Sequence, residues 1–448
     1  MNLDKYQLDA VESLTNTLLI AGAGAGKTFT IVKKIDYLIN NNICKENEIL
    51  VISFTNKSVN DLKKKISYNV DVFTFHKLAM NILNNYHISY KIANDDYLKY
   101  VTNEFFCSLD DFDMQKEILS YFNETNYQYF LNSYKYQEFI KLIISILKIY
   151  KTNNCTKVDL MKCYKQDKFL SKYLYIIKNI YDNELKASNL MDFDDLIINA
   201  TNTLNGFYKY KYIIIDEFQD TSKIRFNLIN KLLTLNKAII FAVGDDYQSI
   251  YHFSGCDINL FWDFKKLVPN SKILKLKYTY RNSQELINVA SKFIMKNKKQ
   301  LEKDLISNKH INNPIEFIYY INPKKSFAKL YNKVKKINED VLVLGRNNFD
   351  INRFCDFPVK YLTVHSAKGL EAENVIIINM TNDIYGFPNK IINNKLIEEL
   401  HPSDKNILYA EERRLFYVAL TRTKNKVYIL VPLVNKSCFI KELKKMIK

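Results

Sequence analysis

The chain has 448 residues, 47% of them hydrophobic and 25% charged, which suits a globular protein of two to four domains with substantial cores. Its 65 Lys and Arg against 48 Asp and Glu leave a net charge of +17 and favour a polyanionic partner, although abundant Lys, Asn, Ile and Tyr beside scarce Gly, Pro and Trp also fit an A/T-rich coding bias. Seven cysteines without a CxxC pair, six histidines without ligand spacing, an acidic N-terminus (Asp4, Asp9, Glu12) and no run of roughly 20 apolar residues argue against a disulfide framework, a zinc or iron–sulfur site, a signal peptide and a membrane span. An intracellular location, cytoplasmic or nuclear, with no membrane partner, is expected.

The first predicted strand ends at Leu18, Leu19 and Ile20, and Lys27 opens a run in which Ile31, Val32, Ile35, Leu38 and Ile39 recur at helical spacing. Between them lies Ala21-Gly22-Ala23-Gly24-Ala25-Gly26-Lys27-Thr28. Strand, glycine loop and helix form the context of a phosphate-binding loop. The glycines let backbone N–H groups turn toward one anion, the helix N-terminus adds its dipole, Lys27 reaches the β and γ phosphates, and the Thr28 hydroxyl binds Mg²⁺. Only 9 glycines occur in the whole chain, so three alternating ones before Lys-Thr carry weight.

Further strands are predicted at Ile49 to Phe54 and Val70 to Phe75, around a helix with Val59, Leu62 and Ile66 on one face. From about 91 to 190 the pattern changes to long amphipathic runs such as Phe139 to Ile149, without one Gly or Pro, and a helical insertion is expected. Short apolar strands return at Tyr212 to Ile215 and Ala238 to Val243 and read as buried and parallel. A second series follows at Ile315 to Tyr319, Val341 to Leu344, Val375 to Ile378 and Val427 to Leu430. The expected fold is α/β in two lobes: residues 1–90 with 191–265, an all-α insertion at 91–190, and a second lobe at 266–448.

Asp216 and Glu217 stand at the carboxyl end of the strand Tyr212 to Ile215. An acidic turn after a strand is usually just solvated, but joined to a phosphate loop it supplies what hydrolysis needs. Asp216 would hold Mg²⁺ through its water shell, and Glu217 would polarise the attacking water.

At this point DEFQDTS, from Asp216 to Ser222, resembles a motif of the superfamily 1 DNA helicases of the UvrD, Rep and PcrA group, and the other motifs follow in that family's order: Tyr6-Gln7, FTNKS (Phe54 to Ser58), TFH (Thr74 to His76), DFDDL (Asp192 to Leu196), VGDDYQSIY (Val243 to Tyr251), YTYRNS (Tyr278 to Ser283), TVHSAKGLE (Thr363 to Glu371) and EERRLFYVALTRT (Glu411 to Thr423). The resemblance implies two RecA-like P-loop NTPase lobes sharing one ATP. It makes Gln7 an adenine reader, Gln248 a γ-phosphate sensor, Tyr280 an adenine stacker opposite Phe29, Arg281 and Arg422 phosphate-binding arginines offered by the second lobe, and Glu371 a ribose ligand. It also implies DNA contacts at Phe54, Thr55, Asn56, Thr74, Phe75, His76, Tyr251, Phe253 and His365. Aromatic faces beside nucleotide motifs suit unpaired bases.

The chain departs from the family pattern at Phe253-Ser254-Gly255-Cys256, where relatives show Trp-Arg-Gly-Ala, at Phe29, where they often carry arginine, and at Ala372, where phenylalanine is usual. Only 18 residues, Asn347 to Val364, separate Arg346 from His365, too few for the accessory domain that relatives insert there. Three domains rather than four are expected, and the 25 residues after Thr423 leave no room for a nuclease domain. The implied function is an ATP- and Mg²⁺-dependent motor moving 3′ to 5′ on single-stranded DNA and opening single-strand/duplex junctions, expected as a monomer with its protein partners and pathway left open. The alternatives are a translocase that strips proteins from DNA and a nucleotide-dependent scaffold that has lost cycling.

Overall fold

The structure, a computed structural model, describes residues 2–391, 394–402 and 407–447. The chain begins with strands β1 (Thr17–Ala21), β2 (Ile49–Ile52) and β3 (Asp71–Phe73). It then leaves through the short strand β4 (Lys91–Ile92) into helices running from Tyr97–Cys107 to Lys168–Ala187, and returns through β5 (Leu190–Met191), which pairs with β4 in parallel. Strands β6 (Tyr212–Ile215), β7 (Ile239–Gly244) and β8 (Lys272–Leu276) complete the first sheet. Its order is β3-β2-β6-β7-β1-β8 and every pairing is parallel. Strands β1, β2 and β6 are buried along their whole length, as continuous runs of branched residues with helices on both faces require. One face packs around Leu18, Ile213 and Leu228, the other around Leu19, Ile31 and Ile214.

A second parallel sheet follows, made of β9 (Ile315–Tyr320), β10 (Val341–Gly345), β11 (Tyr361–Thr363), β12 (Ala372–Ile377) and β13 (Thr423–Pro432), in the order β11-β10-β12-β13-β9. Apolar cores cover both of its faces, and the helix Ala410–Leu420 lies buried against one of them. This is the α/β class, with two parallel sheets flanked by helices as in RecA-like lobes. Between β10 and β11 the chain makes only a short loop with one 3-10 turn, Asp350–Arg353.

One boundary differs from the sequence reading. The strand β8, beyond the expected boundary at residue 265, pairs with β1 at the edge of the first sheet. Its alternation of Lys272, Lys275 and apolar residues, half exposed, gives an edge strand a weak signal. The helical insertion has its own core around Phe106, Ile143 and Tyr173, and that core also takes in Leu396 and Leu400 from a helix following β12, Lys395–Leu400. The second half of the chain therefore touches both earlier units. Among the described residues, no helix is long and apolar enough to cross a membrane.

Candidate functional site

In an open parallel sheet, ligands bind outside the carboxyl ends of the strands. Neighbouring strands β6, β7 and β1 end at Ile215, Gly244 and Ala21, so the acidic turn that starts at Asp216, the Gln248 turn and the phosphate loop meet at one place. The helix Lys27–Asn40 starts directly from the loop, with Gly26 at its N-cap in the left-handed region (φ 81°). Gly24 is also left-handed, and a β-carbon there would meet the Arg281 β-carbon at 2.5 Å. Only glycine fits both positions. From the second sheet come Glu371 and Arg422, each just before its strand, side by side because the Ala372 N–H donates to the Arg422 carbonyl (3.0 Å).

These residues line a single cleft of about 460 Å³: Ala23 to Phe29, Asp216, Glu217, Gln248, Tyr280, Arg281, Glu371 and Arg422. Ala21 and Gly22 do not line it. Ala21 is buried as the last residue of β1, and Gly22 is covered by Leu305. Gln7 also stays behind the loop, its amide accepting from the Asp4 N–H (3.1 Å) and donating to the Ala25 carbonyl (3.4 Å) in a helix capping box. Arg281 is not on the second lobe proper. The Tyr280 N–H donates to the Gly24 carbonyl (3.0 Å) and the Thr279 hydroxyl to the Ala23 carbonyl (2.7 Å), which fixes this segment to the phosphate loop at the crossover between sheets.

Lys27, Arg281 and Arg422 each have a partner in the cleft. The Lys27 ammonium sits 2.5 Å from Glu217. Burial opposes its charge, but Glu217, Asp216 and Asp245 outweigh that and raise its pKa above the ordinary lysine value. Burial likewise works against ionisation of Glu217, yet Lys27 and Lys368 overcome it and hold this carboxyl well below the usual range. Asp216 moves the opposite way, raised by burial and by the neighbouring charge of Glu217. Glu217 itself adopts a left-handed backbone (φ 53°) and its N–H donates to the Asp216 carboxylate (3.0 Å). Arg281 pairs with Glu371 at 2.7 Å. Arg422, 1% exposed, donates to the Gln248 side-chain carbonyl (2.8 Å) and to the Val418 carbonyl (3.0 Å), and full burial draws its pKa down to about 9. Tyr280 is 54% exposed at the rim, its hydroxyl donating to Asp4 (2.7 Å).

Family models match the chain twice: the UvrD/REP helicase N-terminal domain over residues 3–269, and the UvrD-like helicase C-terminal domain over residues 353–432. The chain belongs to the UvrD/REP helicase family. Among its relatives are the ATP-dependent DNA helicase Rep of Buchnera aphidicola subsp. Schizaphis graminum (28% identical, over 83% of this chain and 55% of the relative) and DNA helicase IV of Escherichia coli K12 (27%, over 99% and 70%). The ATP-dependent DNA helicase PcrA of Staphylococcus epidermidis is 29% identical over 68% of this chain and 41% of its own length. The chain thus spans about half the length of most of these UvrD/REP relatives.

In this UvrD/REP chain the residues expected at DNA come from several elements of both halves of the chain. Thr55 and Asn56 are exposed where the helix Asn56–Lys65 begins, and Thr74 caps the helix Phe75–Asn85. Phe253 is 61% exposed and its ring meets His365 edge-on at 5.5 Å, while the Tyr251 hydroxyl donates to the His365 carbonyl (3.3 Å). His76 packs against Phe193, and burial lowers its pKa to about 4. Phe54 is half-buried under Arg225. Phe75 contradicts its expected role. It is 3% exposed and belongs to the sheet core with Leu78, Ala79, Ile82 and Leu83, one stripe at helical spacing.

Two lysines escape a motif-based reading. Lys368 crosses from the second sheet to Asp220 (2.5 Å) and to the Gln248 carbonyl (2.6 Å). Lys303, almost wholly buried, pairs with Asp245 and Asp246 under the Tyr247 ring, and Asp245 in turn accepts from the Gln248 amide (2.5 Å). A chain of contacts therefore runs from Lys303 through Asp245 and Gln248 to Arg422. Lys368 lies within the TVHSAKGLE segment without an assigned role, and among 65 basic residues Lys303 does not stand out by sequence.

Proposed function

We propose that this chain is an ATP-driven motor that moves 3′ to 5′ along single-stranded DNA and separates duplex ahead of it. The observation that supports this reading most strongly is the convergence of Lys27, Asp216 and Glu217 from one sheet and Arg422 from the other on one cleft. ATP enters by exchange of partners. Lys27 leaves Glu217 for the β and γ phosphates, Arg281 leaves Glu371 for phosphate, and Glu371 becomes free to accept from the ribose. Glu217, released and still ionised, orients the attacking water, and Arg281 and Arg422 neutralise charge on the transferred phosphoryl group.

The Thr28 hydroxyl and the Asp216 carboxylate fit a magnesium ion. Both line the cleft, and the raised pKa of Asp216 marks a buried carboxylate short of positive charge. Mg²⁺ bound there would neutralise phosphate charge. Because Gln248 joins Arg422 to the first sheet, occupancy of the cleft changes how the sheets sit together, and Tyr251, Phe253 and His365 lie where that movement reaches a stacked strand.

The test is strand displacement with ATP from duplexes carrying a 3′ or a 5′ tail, run beside ATPase with and without oligo(dT). Displacement of the 3′-tailed duplex alone is expected. Stimulated ATPase with no displacement from either would leave a translocase, which the short loop between β10 and β11 favours over unwinding. ATPase indifferent to DNA would overturn the motor.

A further inference from the structure

Arg225 lies in the first turn of the helix Lys223–Asn236, at the junction of the first sheet's helices with the helical insertion. Its guanidinium stacks 4.5 Å from the Phe54 ring centre and 5.9 Å from that of Phe75. Its Nε is buried with no hydrogen-bond partner, and its Nη1–H reaches only the Asp220 carbonyl, at 3.5 Å. Among the described residues no carboxylate stands within ion-pair distance of it. A half-buried cation without an ion-paired carboxylate is costly, and it differs in this from Lys27 and Arg281 of the nucleotide cleft.

The guanidinium faces a cavity of about 950 Å³, walled also by His76, Phe253 and Ser254. The acidic groups nearest Arg225 are already engaged. Asp192 and Asp195 both pair with Lys151 at 2.6 Å, and Asp194 accepts from the Thr152 hydroxyl at 2.9 Å. What the cavity offers an incoming ligand therefore includes the planar cation of Arg225, with Lys148 and Lys186 on the same lining, and the exposed aromatic faces of Phe253 and Phe193. A guanidinium held flat on a phenylalanine keeps its edge donors for an anion, and Phe253 suits a base one unit along the same chain.

We propose that Arg225 binds a backbone phosphate of the nucleic-acid strand, with Phe253 stacking on a neighbouring base. This rests on the strand-binding reading above and adds to it a contact outside the quoted motif positions. Phe54, expected at DNA, then acts through Arg225 as the surface that holds the guanidinium flat.

The test is fluorescence anisotropy of labelled oligo(dT) against the full chain across a salt series. Arg225→Met keeps the packing on Phe54 without the charge; Arg225→Lys keeps the charge without the plane. For Arg225→Met, affinity is expected to fall about tenfold, and the slope of log affinity against log salt to become shallower by about 0.7, one phosphate contact on a single strand. Arg225→Lys is expected to keep the parent slope. An Arg225→Met slope equal to the parent's, or an Arg225→Lys slope lowered as far as that of Arg225→Met, overturns the assignment. A parent chain that does not bind oligo(dT) contradicts the strand-binding reading itself and this contact with it, whereas a binding parent with an indifferent Arg225→Met removes Arg225 alone.

Discussion

The nucleotide cleft and the strand groove handle charge in opposite ways. In the cleft Lys27 sits on Glu217, Arg281 on Glu371 and Arg422 on Gln248. In the groove Arg225 lacks a carboxylate and Phe253 faces solvent. A cleft whose buried charges are neutralised internally avoids the large cost of bare ions, and a ligand must replace those partners rather than fill a void. Under the proposed motor the groove would need no such exchange, because open aromatic faces and cations without ion-paired carboxylates could release and recapture a strand at each step. Tight, partner-exchanging binding on one side and loose, repeatable binding on the other are what a stepping motor requires.

That contrast can be broken most sharply in the cleft. Lys27→Ala and Glu217→Gln are each expected to lower DNA-stimulated ATP turnover by about 1,000-fold. A steady-state assay showing retained turnover in either would remove the catalytic assignment. The groove's two phenylalanines form the next test. Phe75→Ala should lose about 3–5 kcal/mol of stability in urea unfolding, as for a large ring removed from a core. Phe253→Ala should leave stability unchanged and weaken oligo(dT) binding about tenfold. Equal effects of the two on stability would return Phe253 to the core.

A pH effect concerns His252, on the wall of a third cavity. His252 stacks on His401 with ring centres 3.8 Å apart, its N–H donates to Glu411 (3.2 Å), and burial, with His401 beside it, lowers its pKa to about 3. The folded state thus favours the neutral ring. Its contribution to stability is full above the unfolded value near 6.5 and is lost as pH falls toward 3. Between pH 7 and pH 5, His252→Phe should lose about 2 kcal/mol less stability than the parent. Parallel curves for the two proteins would show that His252 does not titrate there.

What could be read from the sequence followed the physics of each signal. The phosphate loop was legible because glycine is rare in this chain and Lys27 opens a periodic helix. Asp216 and Glu217 were legible because they interrupt an apolar run at the end of a buried strand. The insertion was legible by its lack of breakers. Strands β8 and β11 were not, since both are edge strands of mixed polarity whose pairing depends on distant neighbours. Phe75 was misjudged because motif position outweighed the apolar stripe it begins. Lys303 and Arg225 were hidden by number, because what distinguishes them is a partner far away in sequence or the lack of an ion-paired carboxylate.

The central claim is that Lys27 and Arg422, from different sheets, reach the same triphosphate. The most direct measurement is a crystal structure of the full chain with Mg²⁺ and a non-hydrolysable ATP analogue. The expected result has the γ phosphate within hydrogen-bond reach of both the Lys27 ammonium and the Arg422 guanidinium, with the Lys27–Glu217 pair broken. A bound nucleotide that leaves Lys27 on Glu217, or leaves Arg422 out of reach of the phosphates, would contradict it.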